Sequence, residues 1–142
     1  MITKINHVGV IVRDIEGALD LYTNTLGFKS TEVEISKEAG IKTVMISQGE
    51  VTLELTEPID PQSGLQKFLD KRGEGVHHIS LEVEDINKER ELLESKGIQF
   101  TDKKPEYVHG TFVSFIHPKS TKGVLIELIQ RISPSLAHKK SA

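Results

Sequence analysis

The chain contains no cysteine. That absence excludes disulfide staples, thiolate metal sites and a cysteine nucleophile together, so any metal must be held by nitrogen and oxygen. No apolar run approaches the roughly 20 residues that a membrane-spanning helix needs. The opening Met1-Ile2-Thr3-Lys4 lacks the hydrophobic stretch of a secretory signal, and a cytoplasmic location with no membrane partner is expected. A basic excess is missing too. The formal net charge is -3, which offers no general attraction for nucleic acid. Two local patches are candidates for holding an anion: the loop with His117, Lys119 and Lys122, and the pair Lys103-Lys104. Scattered surface lysines account for either patch equally well.

At 142 residues, 37% hydrophobic and 27% charged, the composition is that of an ordinary globular protein. The length fits one compact unit, or two half-size modules sharing a core. An internal repeat favours the second description. His7-Val8-Gly9-Val10-Ile11-Val12-Arg13-Asp14-Ile15 aligns with His78-Ile79-Ser80-Leu81-Glu82-Val83-Glu84-Asp85-Ile86, an offset of 78 − 7 = 71. Leu26-Gly27-Phe28 and Lys96-Gly97-Ile98 follow at 97 − 27 = 70. Each copy ends on Glu-Leu, at Glu54-Leu55 and Glu127-Leu128, an offset of 127 − 54 = 73.

Each copy reads as a strand, a helix and three further strands. Ile5 to Val12 is β-branched or alternating, and Asp14 is placed to cap a helix beginning at Ile15. Ile15, Ala18, Leu19 and Tyr22 form an apolar stripe at helical spacing, which Gly27 ends. Strands are predicted near Lys29 to Ile35, Ile41 to Ser47 and Val51 to Glu57, with turns at Glu38-Ala39-Gly40 and Gln48-Gly49-Glu50. The second copy predicts strands over Val76 to Val83, Ile98 to Thr101, Thr111 to Ile116 and Val124 to Gln130, and a helix over Ile86 to Ser95. The expected organisation is a single α+β domain over 1–130, with modules 4–57 and 75–130. Between them, 58–74 is a linker with a short helix near Leu65 to Lys71. A polar tail, 131–142, is expected to be mobile or loosely docked.

A strand histidine repeated in register suggests a shared site, because two modules related by a pseudo-twofold axis bring equivalent positions together. Alternation puts His7, Gly9 and Ile11 on one face of the first strand, and His78, Ser80 and Glu82 on the equivalent face of its copy. The residue two positions after each histidine is small, which leaves room for a ligand. Alone, a strand histidine is more often a hydrogen-bonded core residue; the repeat register is what argues otherwise. His77 competes with His78, but alternation and alignment with His7 choose His78 and put His77 on the helix-facing or rim side. Glu127 interrupts Val124-Leu125-Ile126-Glu127-Leu128-Ile129, a strand apolar on both faces, and a buried carboxylate needs a partner or a cation. Glu54 sits similarly in Leu53-Glu54-Leu55, with an exposed edge-strand carboxylate as the alternative. His7, Glu54, His78 and Glu127 together suit one divalent ion, Co, Ni, Mn, Zn or Mg, with two octahedral positions open. His109, His117 and His138 have no repeat partner and read as loop or tail residues.

From Lys4 to Gln130 the chain resembles the methylmalonyl-CoA epimerases of the vicinal-oxygen-chelate superfamily. The motifs that carry the resemblance are Asn6-His7-Val8-Gly9-Val10, Gly75-Val76-His77-His78-Ile79, and His117-Pro118-Lys119-Ser120 leading into Gly123-Val124-Leu125-Ile126-Glu127-Leu128. The resemblance implies two paired βαβββ modules forming a curved sheet cup around a metal site, an acyl-CoA substrate and a homodimer. It also implies epimerisation by α-proton abstraction through a metal-stabilised enolate. Glu127 and Glu54 would act as acid/base residues, and the His117, Lys119 and Lys122 loop would touch the CoA phosphates. The sequence departs from some of these epimerases in one respect. They carry glutamate at the position of Thr43 and glutamine at that of Glu54, so Glu54 is expected to combine ligation with proton transfer.

Rival readings use the same fold. A glyoxalase-I-like lyase would apply the same enolate chemistry to a glutathione hemithioacetal, although glyoxalases usually show an Asp-Pro-Asp-Gly turn where this chain has His-Pro-Lys. A drug-sequestering module would typically lack the four ligands, and a dioxygenase would present two histidines and one carboxylate.

Overall fold

A computed structural model describes residues 1–108 and 110–132; the expectations for His109, for His138 and for the tail from Ser133 onward lie outside the described residues. The chain is α+β and divides into two compact units, His7–His77 and Met1–Asn6 together with His78 onward, with the cuts falling inside strands β1 (Ile2–Ile11) and β6 (Gly75–Val83).

In the unit His7–His77, β1 leads into helix α1 (Ile15–Asp20), which continues as a π-helical turn over Leu21–Thr25. Strands β2 (Lys29–Ser30), β3 (Glu34–Ser36), β4 (Ile41–Gln48) and β5 (Val51–Pro58) follow. The sheet order is β2-β4-β5-β1, with β3 also on β4; β5 runs parallel to β1 and antiparallel to β4. One face of the sheet carries the core. Val12, Val44, Ile46 and Leu55 are buried there with Ile15 of α1, and Val10, Ala18, Leu19, Tyr22 and Leu53 pack around them. The helical stripe therefore packs where its spacing predicts. Helix α2 (Gly64–Arg72) is capped by the Ser63 hydroxyl, which accepts from the Gln66 N–H. Its Phe68 meets His77 edge to face at 4.7 Å, which puts His77 against a helix, as alternation requires.

Two expectations need correction in this unit. The strand predicted from Lys29 to Ile35 is two short strands, β2 and β3, separated by Thr31 to Val33. The Thr31 hydroxyl accepts from the Met45 N–H, so a side chain replaces a ladder bond at that point. Asp14 occupies the N-cap position of α1, yet its side chain makes no capping bond among the described residues. The Ile15 N–H is instead satisfied by the Glu57 carboxylate at 2.9 Å.

The other unit repeats the plan. From β6 the chain enters helix α3 (Ile86–Ser95), then strands β7 (Glu106–Val108), β8 (Thr111–Ile116) and β9 (Ile126–Arg131). The order is β6-β9-β8-β7, with β9 parallel to β6 and antiparallel to β8, and the Met1–Asn6 segment of β1 beside β6. Val83, Ile86, Ile116 and Leu128 form its core, with Leu81, Leu93, Ile98, Phe100, Phe112 and Ile126 around them. Asp85 caps α3 by accepting from the Asn87 and Lys88 N–H groups, and Gln130 accepts from the Ile86 N–H at 2.9 Å. Gln130 thus does for α3 what Glu57 does for α1.

Ile98 to Thr101 does not form the expected strand. Phe100 makes a single bridge to Ile116, and Asp102 then turns inward to meet the buried Arg90 guanidinium and the Ser114 hydroxyl. That ion pair diverts the chain from the sheet edge, and β7, a strand that the pattern does not predict, takes the edge position. The last strand runs from Ile126 through Arg131, later than predicted at its start. Arg131 belongs to the strand rather than to the tail, and its Nε lies 3.0 Å from Glu82 Oε1.

Candidate metal and proton-transfer site

Each unit has one sheet face used by its core; the opposite face, called open only because that core leaves it uncovered, carries the candidate residues. On the open face of the unit His7–His77 stand His7 and Gly9 of β1, Glu54 and Thr56 of β5, and Met45 of β4. Gly9, Glu54 and Met45 lie in one row across three strands. His7 is buried, and its Nε2 is 3.9 Å from Glu54 Oε1. Burial pushes the His7 imidazole down to about 4, so it is neutral at pH 7, the form in which histidine ligates a cation. Burial also raises the Glu54 carboxyl above its ordinary value, opposed by the Thr56 hydroxyl, which donates to it at 3.5 Å. A carboxyl shifted upward takes and releases a proton near neutrality more readily than an exposed one.

The open face of the other unit carries the equivalent set: His78 and Ser80 of β6, Glu127 of β9 and Phe115 of β8, with Ser80, Glu127 and Phe115 in one row. His78 and Glu127 are both buried, and His78 Nε2 is 3.9 Å from Glu127 Oε1. The Phe115 ring stands edge-on to His78, with centroids 6.1 Å apart. From behind, the Phe115 N–H donates to Asp102 Oδ2 at 3.0 Å, so the ion pair around Arg90 also fixes the residue that shields His78.

The separation of 3.9 Å in each pair is too long for a hydrogen bond. It falls within the roughly 4.2 Å limit for two donors each about 2.1 Å from one ion. A neutral imidazole beside a carboxylate is a donor set that zinc and other divalent ions accept. The residues present therefore fit a metal.

His117, Lys119 and Lys122 stand apart from these pairs in sequence, at a 3-10 turn over Pro118–Thr121. The His117 Nδ1 accepts from the Lys119 N–H at 3.1 Å, which gives this histidine a turn-capping role that its type did not announce. Lys122 adopts a left-handed conformation with φ of 60°. Alternation puts Thr56 on the face of Glu54, as the sequence pattern indicates, whereas Phe115 goes unremarked in the sequence although the same alternation puts it on the face opposite the core.

Two like units of βαβββ plan, each with a histidine on its first strand 3.9 Å from a glutamate on its last, define the class. The family model of the glyoxalase/bleomycin resistance protein/dioxygenase superfamily matches residues 6–115, and the chain belongs to that superfamily. Within it the chain is epimerase-like. It is 36% identical over 132 residues to the mitochondrial methylmalonyl-CoA epimerase of Dictyostelium discoideum, covering 92% of this chain and 80% of the relative. It is 35% identical over 133 residues to the ethylmalonyl-CoA/methylmalonyl-CoA epimerase of Cereibacter sphaeroides, covering 92% and 99%. A Streptomyces coelicolor methylmalonyl-CoA epimerase variant, solved in complex with 2-nitronate-propionyl-CoA, superposes with a TM-score of 0.84 at 30% identity, covering 94% of this chain and 100% of that one. These relatives are isomerases. Among the described residues no helix is long and apolar enough to cross a membrane.

Proposed function

We propose that this chain epimerises methylmalonyl-CoA, using Glu54 and Glu127 as acid/base residues at a site where His7, Glu54, His78 and Glu127 hold one divalent ion. The observation that carries the reading is the duplicated pair, histidine Nε2 to glutamate Oε1 at 3.9 Å in both units.

The reaction removes a proton from the carbon between a thioester and a carboxylate and returns one to the opposite face. A bound divalent ion supplies Lewis-acid stabilisation of the negative charge that develops on substrate oxygens. The chain itself must provide a proton carrier on each side of that carbon. A carboxylate has two oxygens, so a glutamate that held the ion would still have an oxygen with which to exchange a proton. Glu54, held above its ordinary value by burial, is suited to this. His7, neutral at pH 7, is suited to ligation and not to acid catalysis. Thr43, on the strand next to Glu54, has no ionisable group and leaves that role to Glu54. The ligand in the Streptomyces relative agrees in shape with this chemistry: a nitronate is planar at carbon and carries its charge on oxygen, as an enolate does.

The CoA portion is assigned to the His117, Lys119 and Lys122 turn, where the two lysines supply the positive charge that phosphates require. A homodimer in the cytoplasm completes the proposal. The deciding experiment follows solvent deuterium into the α-carbon of methylmalonyl-CoA with purified protein of known metal content. Incorporation with inversion supports epimerisation. Metal-loaded protein that leaves the α-proton in place, but converts a glutathione hemithioacetal, would transfer the reading to a lyase.

A further inference from the structure

Ser80 is fully buried on the open face of its unit, and its hydroxyl has no hydrogen-bond partner among the described residues. Such a group is destabilising, a cost that a residue without the hydroxyl avoids. The repeat shows that one is tolerated in the equivalent place, since Ser80 aligns with Gly9. The hydroxyl is therefore poorly explained by packing.

Its neighbours suggest a use. In the parallel ladder of β6 and β9, Ser80 lies directly opposite Glu127. The next residues on its own face of β6 are His78, whose Nε2 is 3.9 Å from Glu127, and Glu82. Glu82 is already engaged by the Asn6 amide and by Arg131. A serine side chain has three staggered positions, and residues in register on neighbouring strands project their side chains from the same face of the sheet. Rotation among these positions is the change that would set the hydroxyl on the facing Glu127 carboxylate, in a charge-assisted bond stronger than a neutral one.

We propose that Ser80 is a positioning residue: its hydroxyl donates to the Glu127 carboxylate and fixes that carboxylate's orientation during proton transfer. The catalytic consequence rests on the reading of Glu127 as an acid/base residue. In the other unit Gly9 offers Glu54 no such donor, and the Thr56 hydroxyl supplies one from along the same strand. The two carboxylates are thus steadied from different directions.

The test combines a direct reading of the carboxylate with kinetics. In protein labelled with 13C-glutamate, the Glu127 carboxyl resonance is the one lost in Glu127→Gln, and the Glu54 resonance the one lost in Glu54→Gln. Ser80→Ala is expected to move the first and leave the second, in metal-free or zinc-treated protein, and Ser80→Thr to restore it. Ser80→Ala should lower kcat about tenfold with KM within about twofold, the pattern of a group that acts at the transition state. Its melting temperature should hold or rise, because an unpaired buried hydroxyl has been removed. A Glu127 resonance indifferent to Ser80→Ala in both states overturns the proposal, as does a kcat loss matched by lost thermal stability and not rescued by Ser80→Thr. If the unmodified protein fails to exchange the α-proton, the proposed function fails by itself, and the carboxyl resonance still decides the contact.

Discussion

At the scale of single residues, burial sets the protonation of the site before any ligand arrives. His7 has its imidazole pushed down to about 4. Between the ordinary histidine value and about pH 4, the unfolded chain binds a proton there that the folded chain refuses, so His7 lowers stability as pH falls through that window. Glu54 acts oppositely. Its carboxyl is raised by burial, so the folded chain holds the extra proton, and the associated stability is present below the ordinary glutamate value and lost as pH rises through the folded one. In metal-free protein, His7→Gln should therefore become relatively more stable than the parent as pH falls from 6.5 toward 4, and Glu54→Gln relatively more stable as pH rises above 4.5. Denaturant titrations across pH check both; curves parallel to the parent's would contradict the burial argument. For catalysis, Glu54→Gln and Glu127→Gln should each cost about 10²–10⁴-fold in kcat, as loss of a positioned acid/base does. Steady-state epimerisation assays measure this directly, and a loss below about tenfold for either would remove that residue from proton transfer.

The elements are held by polar devices that the hydrophobic pattern does not reveal. Arg90, buried in α3, meets Asp102 and Ser114 and stacks over Phe100, with its guanidinium carbon 4.3 Å from the ring centroid. Removing one side of a buried pair typically costs about 3–5 kcal/mol. Arg90→Ala is placed at the lower end of that range because Asp102 is partly exposed. The same variant should loosen Phe115 and hence the setting of His78, so metal affinity should fall with stability; denaturation and metal titration of one preparation test the two together. Glu57→Ala should cost about 1 kcal/mol through the uncapped Ile15 N–H. A chemical denaturation midpoint unchanged in Glu57→Ala would mean that Asp14 takes over the cap.

These devices mark the boundary of what the sequence discloses about elements. The helix over Ile86 to Ser95 and the strand over Thr111 to Ile116 are found as predicted, because apolar spacing and end signals agree there. Ile98 to Thr101 has strand-like residues but no strand, since a long-range ion pair at Asp102 outweighs local propensity. Asp14 and Asp85 look alike as caps and only Asp85 bonds, while the first N–H of both helices is met by a side chain from a distant strand, Glu57 or Gln130. Long-range polar partners leave no periodic trace.

Across the whole molecule the repeat is the most informative feature of the sequence. It pairs His7 with His78 and Glu54 with Glu127 by register, the apolar strands around the two carboxylates make them candidates, and each histidine lies 3.9 Å from its own copy's glutamate. The Thr56 and Phe115 contacts were legible from alternation once the open face was known, whereas the turn-capping role of His117 depends on a backbone N–H that no side-chain pattern marks. The repeat also makes a demand on the intact chain: neither pair alone supplies enough ligands for a catalytic site, which normally uses at least three from the protein. The most direct measurement of the central claim is metal stoichiometry by elemental analysis, on the parent protein and on His7→Ala and His78→Ala after reconstitution with zinc, cobalt or nickel. One ion per chain in the parent, with loss of tight binding in both variants, is the predicted result. Two ions per chain, or one ion retained undiminished when either histidine is removed, would contradict a single shared site.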